Sequence, residues 1–242
     1  MKKFCLAVLP LFLFSVNCFG LTLADIRTQV RRNIRDTDAT RQRYTDAVLL
    51  DFINEAQREV VNATWLIERS SSYSLSPLTT YYLLPTDLLV ITHVDFKNPQ
   101  GNIQPLEEKT LKGLDNGNQD WRKSNGEPLE YWVDQATTSA QQTISYIPIP
   151  TVTSTGTVTV RFYYQAPDLS AASDVPFDGK RAFYTYHQTL VYHATYRIKM
   201  IERKVDEANA YLAMYTNGLG LMRNRISTMY NYSPSISAGS GK

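Results

Sequence analysis

Cysteine is nearly missing from this chain. Of 242 residues only Cys5 and Cys18 are cysteine, and both fall among the first twenty, so residues 21–242 contain no thiol. Disulfides, zinc–thiolate sites and cysteine nucleophiles are therefore excluded from nearly the whole polypeptide. A surplus of charge of either sign is missing too. Lys2 and Lys3 account for the formal net charge of +2, and without them 23 basic residues stand against 23 acidic ones. A domain that grips nucleic acid normally carries a basic excess. Histidine is scarce: His93 sits in a strand-like stretch, and His187 and His193 stand six apart in a helical one. Six residues turn a helix through roughly 240°, so these two cannot close on one metal ion.

Catalytic patterns are also lacking. The sequence has no HExxH, no G-x-S-x-G elbow, no phosphate-binding P-loop and no dinucleotide-binding glycine pattern. The acidic neighbours Glu107 with Glu108 and Asp206 with Glu207 diverge on a helix or a strand, so they read as solvated charge. Trp65, Trp121 and Trp132 have faces on which a ligand can stack, but anchoring of a core or an interface is the commoner use of tryptophan. No enzymatic activity, cofactor or metal is expected. Only one long hydrophobic run exists, Phe4 to Phe14, preceded by Lys2 and Lys3 and followed by the small and polar stretch Ser15 to Gly20. That is the layout of a secretory signal, too short to anchor in a bilayer. Residues 1–20 are read as such a leader, or as an upstream start-codon extension ahead of a body that begins at Leu21 or Thr22.

What is present is a clear alternation of periods. Thr22 and Asp25 form a capping box ahead of Leu23, Ile26, Val30 and Ile34, which predicts a helix over 23–35. Thr45 or Asp46 caps a second helix, over 46–64, with the apolar face Leu49, Phe52, Ile53, Ala56 and Val60. The β region 70–165 follows with period two, its clearest strand being Thr157 to Tyr164, where Val158, Val160, Phe162 and Tyr164 share one face. The Gly156 turn before it supplies a residue free to take positive φ. From His187 to Tyr215 apolar residues recur every three or four positions, which predicts one long helix over 180–217, stopped by Gly218 and Gly220. Between Lys180 and Arg225 eight basic residues meet three acidic ones, the one sustained charge asymmetry of the body. A short amphipathic piece, Leu221 to Tyr230, precedes a Pro-, Ser- and Gly-rich tail over 231–242. The fold class is α+β: a helical bundle of two N-terminal helices and one long C-terminal helix, with an antiparallel β-sheet domain inserted between them, all within a body of 21–230.

The order of these pieces carries a family likeness. Phe52-Ile53-Asn54-Glu55-Ala56 in the second helix, then Tyr82-Leu83-Leu84-Pro85-Thr86-Asp87, Gly126-Glu127-Pro128-Leu129-Glu130-Tyr131, Ile147-Pro148-Ile149-Pro150 and Val158-Thr159-Val160-Arg161-Phe162-Tyr163-Tyr164 precede the C-terminal helix. This succession resembles the head-to-tail adaptor, or connector, proteins of tailed bacteriophages over roughly 22–225. The resemblance implies a virion structural protein at the head-tail junction, assembled in the host cytoplasm. It implies a homo-oligomer, a dodecameric ring, partnered by the portal protein and by tail or nozzle proteins, with packaged DNA in weak non-specific contact. The portal-binding residues are expected to be Leu221, Met222, Arg223, Arg225, Ile226, Met229 and Tyr230, an apolar and cationic set too small to form a core of its own. The competing reading is an exported periplasmic or surface protein that binds a ligand through a Tyr-rich β domain.

Overall fold

The computed structural model describes residues 20–117, 120–134, 141–153 and 155–230. The reading of residues 1–20 as a leader falls, but for Gly20, outside the described residues, as does the reading of 231–242 as a tail. Helix α1 (Leu23–Ile34) starts at the expected box: the Thr22 hydroxyl accepts from the Asp25 N–H at 3.3 Å and the Asp25 carboxylate accepts from the Thr22 N–H at 2.9 Å. Both orphan donors are thus satisfied. Leu23, Ile26, Val30 and Ile34 are fully buried, and Arg35 ends the helix in the left-handed region. Helix α2 (Asp46–Thr64) is capped by the Thr45 hydroxyl and buries Leu49, Ile53, Ala56, Val60 and Val61.

The β region forms two four-stranded sheets where the period-two pattern predicts one. Its strands are β1 (Glu68–Ser74), β2 (Tyr82–Leu83), β3 (Leu88–Lys97), β4 (Ile103–Pro105), β5 (Glu107–Glu108), β6 (Glu130–Asp134), β7 (Thr143–Ile147) and β8 (Thr157–Tyr164). The first sheet runs β1-β8-β3-β4, all antiparallel. The second runs β2-β7-β6-β5 and is antiparallel except for β5 beside β6. Alternation reveals which face of a strand is buried but not which strand it pairs with, because pairing is decided by distant chain. The two-residue and three-residue strands and helix α3 (Leu111–Gly117) are too short to show a period. On β8 the expected face, Val158, Val160, Phe162 and Tyr164, is buried. Tyr163, on the other face, is covered as well, with its ring stacked 6.2 Å from Trp65.

Gly156 serves a different purpose from the one expected. Positive φ among the glycines is confined to Gly101 and Gly179 within the described residues. A Cβ on Gly156 would sit 2.2 Å from the Lys97 carbonyl oxygen and 2.7 Å from the Phe96 ring, so the residue is small because β3 lies against it.

The single long helix over 180–217 is replaced by a hairpin. Two short 3₁₀ turns, Phe177–Gly179 and Arg181–Tyr186, lead into α4 (His187–Ile201), and α5 (Val205–Tyr230) returns after a break of three residues. Arg203 adopts φ 57° at that break. Ile201 and Val205, two positions of the apolar series, are 60% and 51% exposed, so at the bend the series has no core to face. A period of 3.5 fits one straight helix and two helices that share a stripe equally well. Asp206 and Glu207 open α5, where acidic side chains favour the positive end of the helix. Gly218 and Gly220 lie inside α5 and do not stop it.

Helix α4 packs against α1, α2 and α5. One continuous core joins these helices to both sheets, from Leu23 and Ile53 through Phe162 and Tyr146 to Val191, Met222 and Ile226. Side chains of α2 fasten the segment between β8 and α4. The Asn54 amide donates to the Leu169 carbonyl at 3.0 Å and accepts from the Leu169 N–H at 2.9 Å. Gln57 likewise donates to Pro167 at 2.8 Å and accepts from Phe177 at 3.0 Å. A second, smaller cluster of Leu114, Trp121, Trp132 and Ile147 lies on the other face of the second sheet.

Candidate interaction surface on the C-terminal hairpin

The expected partner-binding segment is the last part of α5, continuous with the rest of the helix rather than separated from it by a stop. Its side chains divide into two sets. Met222 is fully buried and Ile226 is 9% exposed, both in the main core. The Arg223 guanidinium donates from Nε and Nη2 to the Ala63 carbonyl oxygen, at 3.2 and 3.1 Å. Ala63 is in the last turn of α2, where carbonyls lack helical partners and a cation is favoured. Leu221, by contrast, is 55% exposed, and Arg225 is exposed four residues on. Met214, seven residues before Leu221 and 47% exposed, shares that face of the helix. The side chains of Met229 and Tyr230 lie outside the described residues.

The inner side of the hairpin is held by buried His193, Tyr215 and Lys199, each bonded to a half-exposed carboxylate. Glu59 on α2 meets His193 Nε2 at 2.9 Å through one oxygen and accepts from the Tyr215 hydroxyl at 2.8 Å through the other. The Tyr215 ring meets the His193 ring edge to face at 4.9 Å. One carboxylate thus ties α2 to both arms. Burial pulls the His193 pKa down against the upward influence of Glu59, and burial together with the bond to Glu59 pushes the Tyr215 hydroxyl up. Lys199, 1% exposed, reaches Glu207 across the bend at 2.5 Å and holds that carboxyl below its usual range. His187 is elsewhere, with Nδ1 3.1 Å from the Leu21 carbonyl oxygen and its ring against Phe177 and Tyr184. Among the described residues, no three His, Cys, Asp or Glu side chains are grouped to hold a metal, and no helix is long and apolar enough to cross a membrane.

Much of the basic asymmetry is internally matched. Arg197 pairs with Glu55 at 2.9 Å, Lys199 with Glu207 and Lys204 with Glu202 at 2.8 Å, while Arg223 is committed to α2. Lys180, Arg181, Arg203 and Arg225 remain without a carboxylate partner among the described residues. On α1, Arg31 bonds Asp36 at 3.0 Å and Asp46 at 2.7 Å, and Arg27 meets Asp46 at 3.1 Å.

Residues 21–237 match the model of a family described as SU10 adaptor protein. The chain belongs to this family of phage head-to-tail adaptors. No curated protein matches it. The match opens at Leu21, one residue before the Thr22 cap, and covers both sheets and the hairpin. As an adaptor the protein is one of a structural family, found at the head-tail junction of the virion. Sequence reading found the adaptor's α1 and α2 faces but missed Glu59 and Arg223 as the fasteners of α5. Glu59 lies among polar residues of an amphipathic helix, and nothing local marks which carboxylate meets a histidine 134 residues away.

Proposed function

We propose that this adaptor is a subunit of a homo-oligomeric ring, dodecameric as in the family it resembles, that docks on the portal, lines the DNA passage and supports tail attachment. The docking element is the C-terminal part of α5. The observation that carries this reading is the division of that helix. Met222, Ile226 and Arg223 secure it to the adaptor's own core and to α2, and this leaves Leu221 and Arg225 outward as an apolar and cationic pair. Met229 and Tyr230 extend the same element. A rigid helix presenting such a pair loses little conformational freedom on docking, whereas a disordered segment would lose roughly 1–2 kcal/mol per residue.

Contact with DNA in the passage is weak in this reading, since beyond Lys2 and Lys3 the chain carries as many acidic as basic residues. The test is co-sedimentation of the full chain with portal rings. Leu221→Asp and Arg225→Glu are expected to abolish co-sedimentation while the melting temperature stays close to that of the unaltered protein. If both variants still join the portal normally, this face of α5 is not the docking element.

A further inference from the structure

The bend of the C-terminal hairpin leaves aliphatic side chains in the open. Met200, Ile201 and Val205 are 44%, 60% and 51% exposed. They flank Arg203, which has no carboxylate partner among the described residues. Arg35, at the end of α1, stands beside the bend, since it contributes, behind Lys199 and Lys204, to lowering the Glu207 carboxyl. Apolar groups gathered at one exposed bend and rimmed by cations make a surface that contact with another apolar surface would cover.

The second sheet, with the segment that covers its outer face, has the opposite charge. Over residues 107–134, which include β5 and β6, seven acidic residues meet four basic ones. Lys109 is shared by Glu107 and Glu130, Arg122 pairs with Asp115, and Lys123 pairs with Asp120. Glu108, Glu127 and Asp134 are left without a cation among the described residues, and the first two are exposed. This layer is also apolar where it is open. Leu111 and Leu129 are 43% and 57% exposed. A cavity of about 530 Å³ lies here, lined in part by Leu114, Trp121, Leu129, Ile147 and Pro148.

Each surface supplies what the other lacks. Both carry exposed aliphatic side chains, and their unmatched charges are positive on the bend and negative on the sheet, so contact would bury the first and pair the second. Two bends facing each other would oppose like charges, and so would two sheets. Within one chain the surfaces stand apart. Arg43, just ahead of α2, bonds Glu202 of the bend at 2.6 Å, while β1 starts past the far end of α2, roughly 28 Å further on. A contact between unlike surfaces repeats head to tail, and it closes into a ring where its rotation allows. We propose that the hairpin bend of one copy packs on the outer layer of the second sheet of the next, with Ile201 and Val205 entering the cavity beside Leu129 and Arg203 reaching the unpaired carboxylates. This contact rests on the ring reading above and names the surfaces that would form it. It leaves Leu221 and Arg225 free for the portal, because about 24 Å of α5 separates Val205 from Leu221.

The test is sedimentation of the full chain over a range of concentrations. Unaltered protein should associate beyond the dimer, with an affinity that falls as salt rises. Ile201→Asp in the bend and Leu129→Asp in the sheet should each weaken this association about tenfold. Melting temperatures should stay unchanged, since both side chains are exposed. A mixture of the two variants is more specific. The Leu129→Asp copy keeps an intact bend and the Ile201→Asp copy an intact sheet, so the mixture should form pairs and stop there. A mixture that fails to pair, or association that both variants leave intact, would overturn this contact but not the ring. A chain that stays monomeric yet loads portal rings in many copies would do the same. One that stays monomeric and loads no more than a single copy would overturn the ring reading as well.

Discussion

His187 is fully buried, with no charged group among its ring neighbours Phe177, Tyr184 and the Leu21 carbonyl. Burial pushes its pKa down from 6.5 to about 4, only partly opposed by that carbonyl. The unfolded chain therefore takes up a proton before the folded one does. Stability is present in full above pH 6.5 and is lost as pH falls towards 4, by roughly 3 kcal/mol. The lowered carboxyls of Asp25, Asp46 and Glu207 act in the same direction but mainly at lower pH, as they approach protonation. His193, lowered by burial as well, adds to the loss in the same direction. Urea unfolding at pH 7 and pH 4.5 should show the loss, and His187→Gln should reduce it; an unchanged slope in that variant would place the effect elsewhere. Glu59 is a second sensitive position. Glu59→Ala leaves His193 Nε2 and the Tyr215 hydroxyl without their shared acceptor, at a cost of about 1–3 kcal/mol given that the carboxylate is half exposed. Glu59→Gln should cost less, because its amide oxygen can still accept from Tyr215.

At the scale of elements, α5 contains two glycines with opposite expectations. A Cβ on Gly218 would stand 2.6 Å from Thr189 Oγ1 and 3.3 Å from its methyl, and Thr189 is buried in α4. The glycine lets the two arms of the hairpin approach. Gly218→Ala should therefore destabilise by about 1–3 kcal/mol, as overpacking does, and Thr189→Ala in the same chain should recover most of the loss. Gly220 has open space around its Cβ position. Gly220→Ala should stabilise by about 0.5–1 kcal/mol through helix propensity alone. Thermal melts of the three variants distinguish close packing from propensity. A chain ending at Asn217 would lack Met222, Ile226 and the Arg223 cap on α2, so its melting temperature should fall clearly.

At the scale of the molecule, the apolar faces of helices and sheets meet in one core that begins at Leu23. A chain of residues 21–242 alone should be soluble and unfold in one cooperative transition, and separate transitions by circular dichroism and tryptophan fluorescence would contradict this. Duplex DNA should bind weakly, without sequence preference, and with an affinity that falls steeply as salt rises. A tight, sequence-dependent complex at physiological salt would be incompatible with the adaptor reading.

The sequence by itself determined the local elements. Thr22 with Asp25 set the start of α1, the 3.6-residue series set the buried faces of α1 and α2, and β8 lies where the alternation of residues placed it. Each of these rests on interactions within a few residues. Partnership was decided only by the tertiary structure. Which strands pair, where the C-terminal series bends, why Gly156 and Gly218 are glycine, and which of Leu221, Met222, Arg223, Arg225 and Ile226 face outward all depend on chain distant in sequence. The apolar period from His187 to Tyr215 survives the bend because both arms bury their stripe in the same core. A periodic signal reports the side that is buried and carries no record of the direction in which the helix runs.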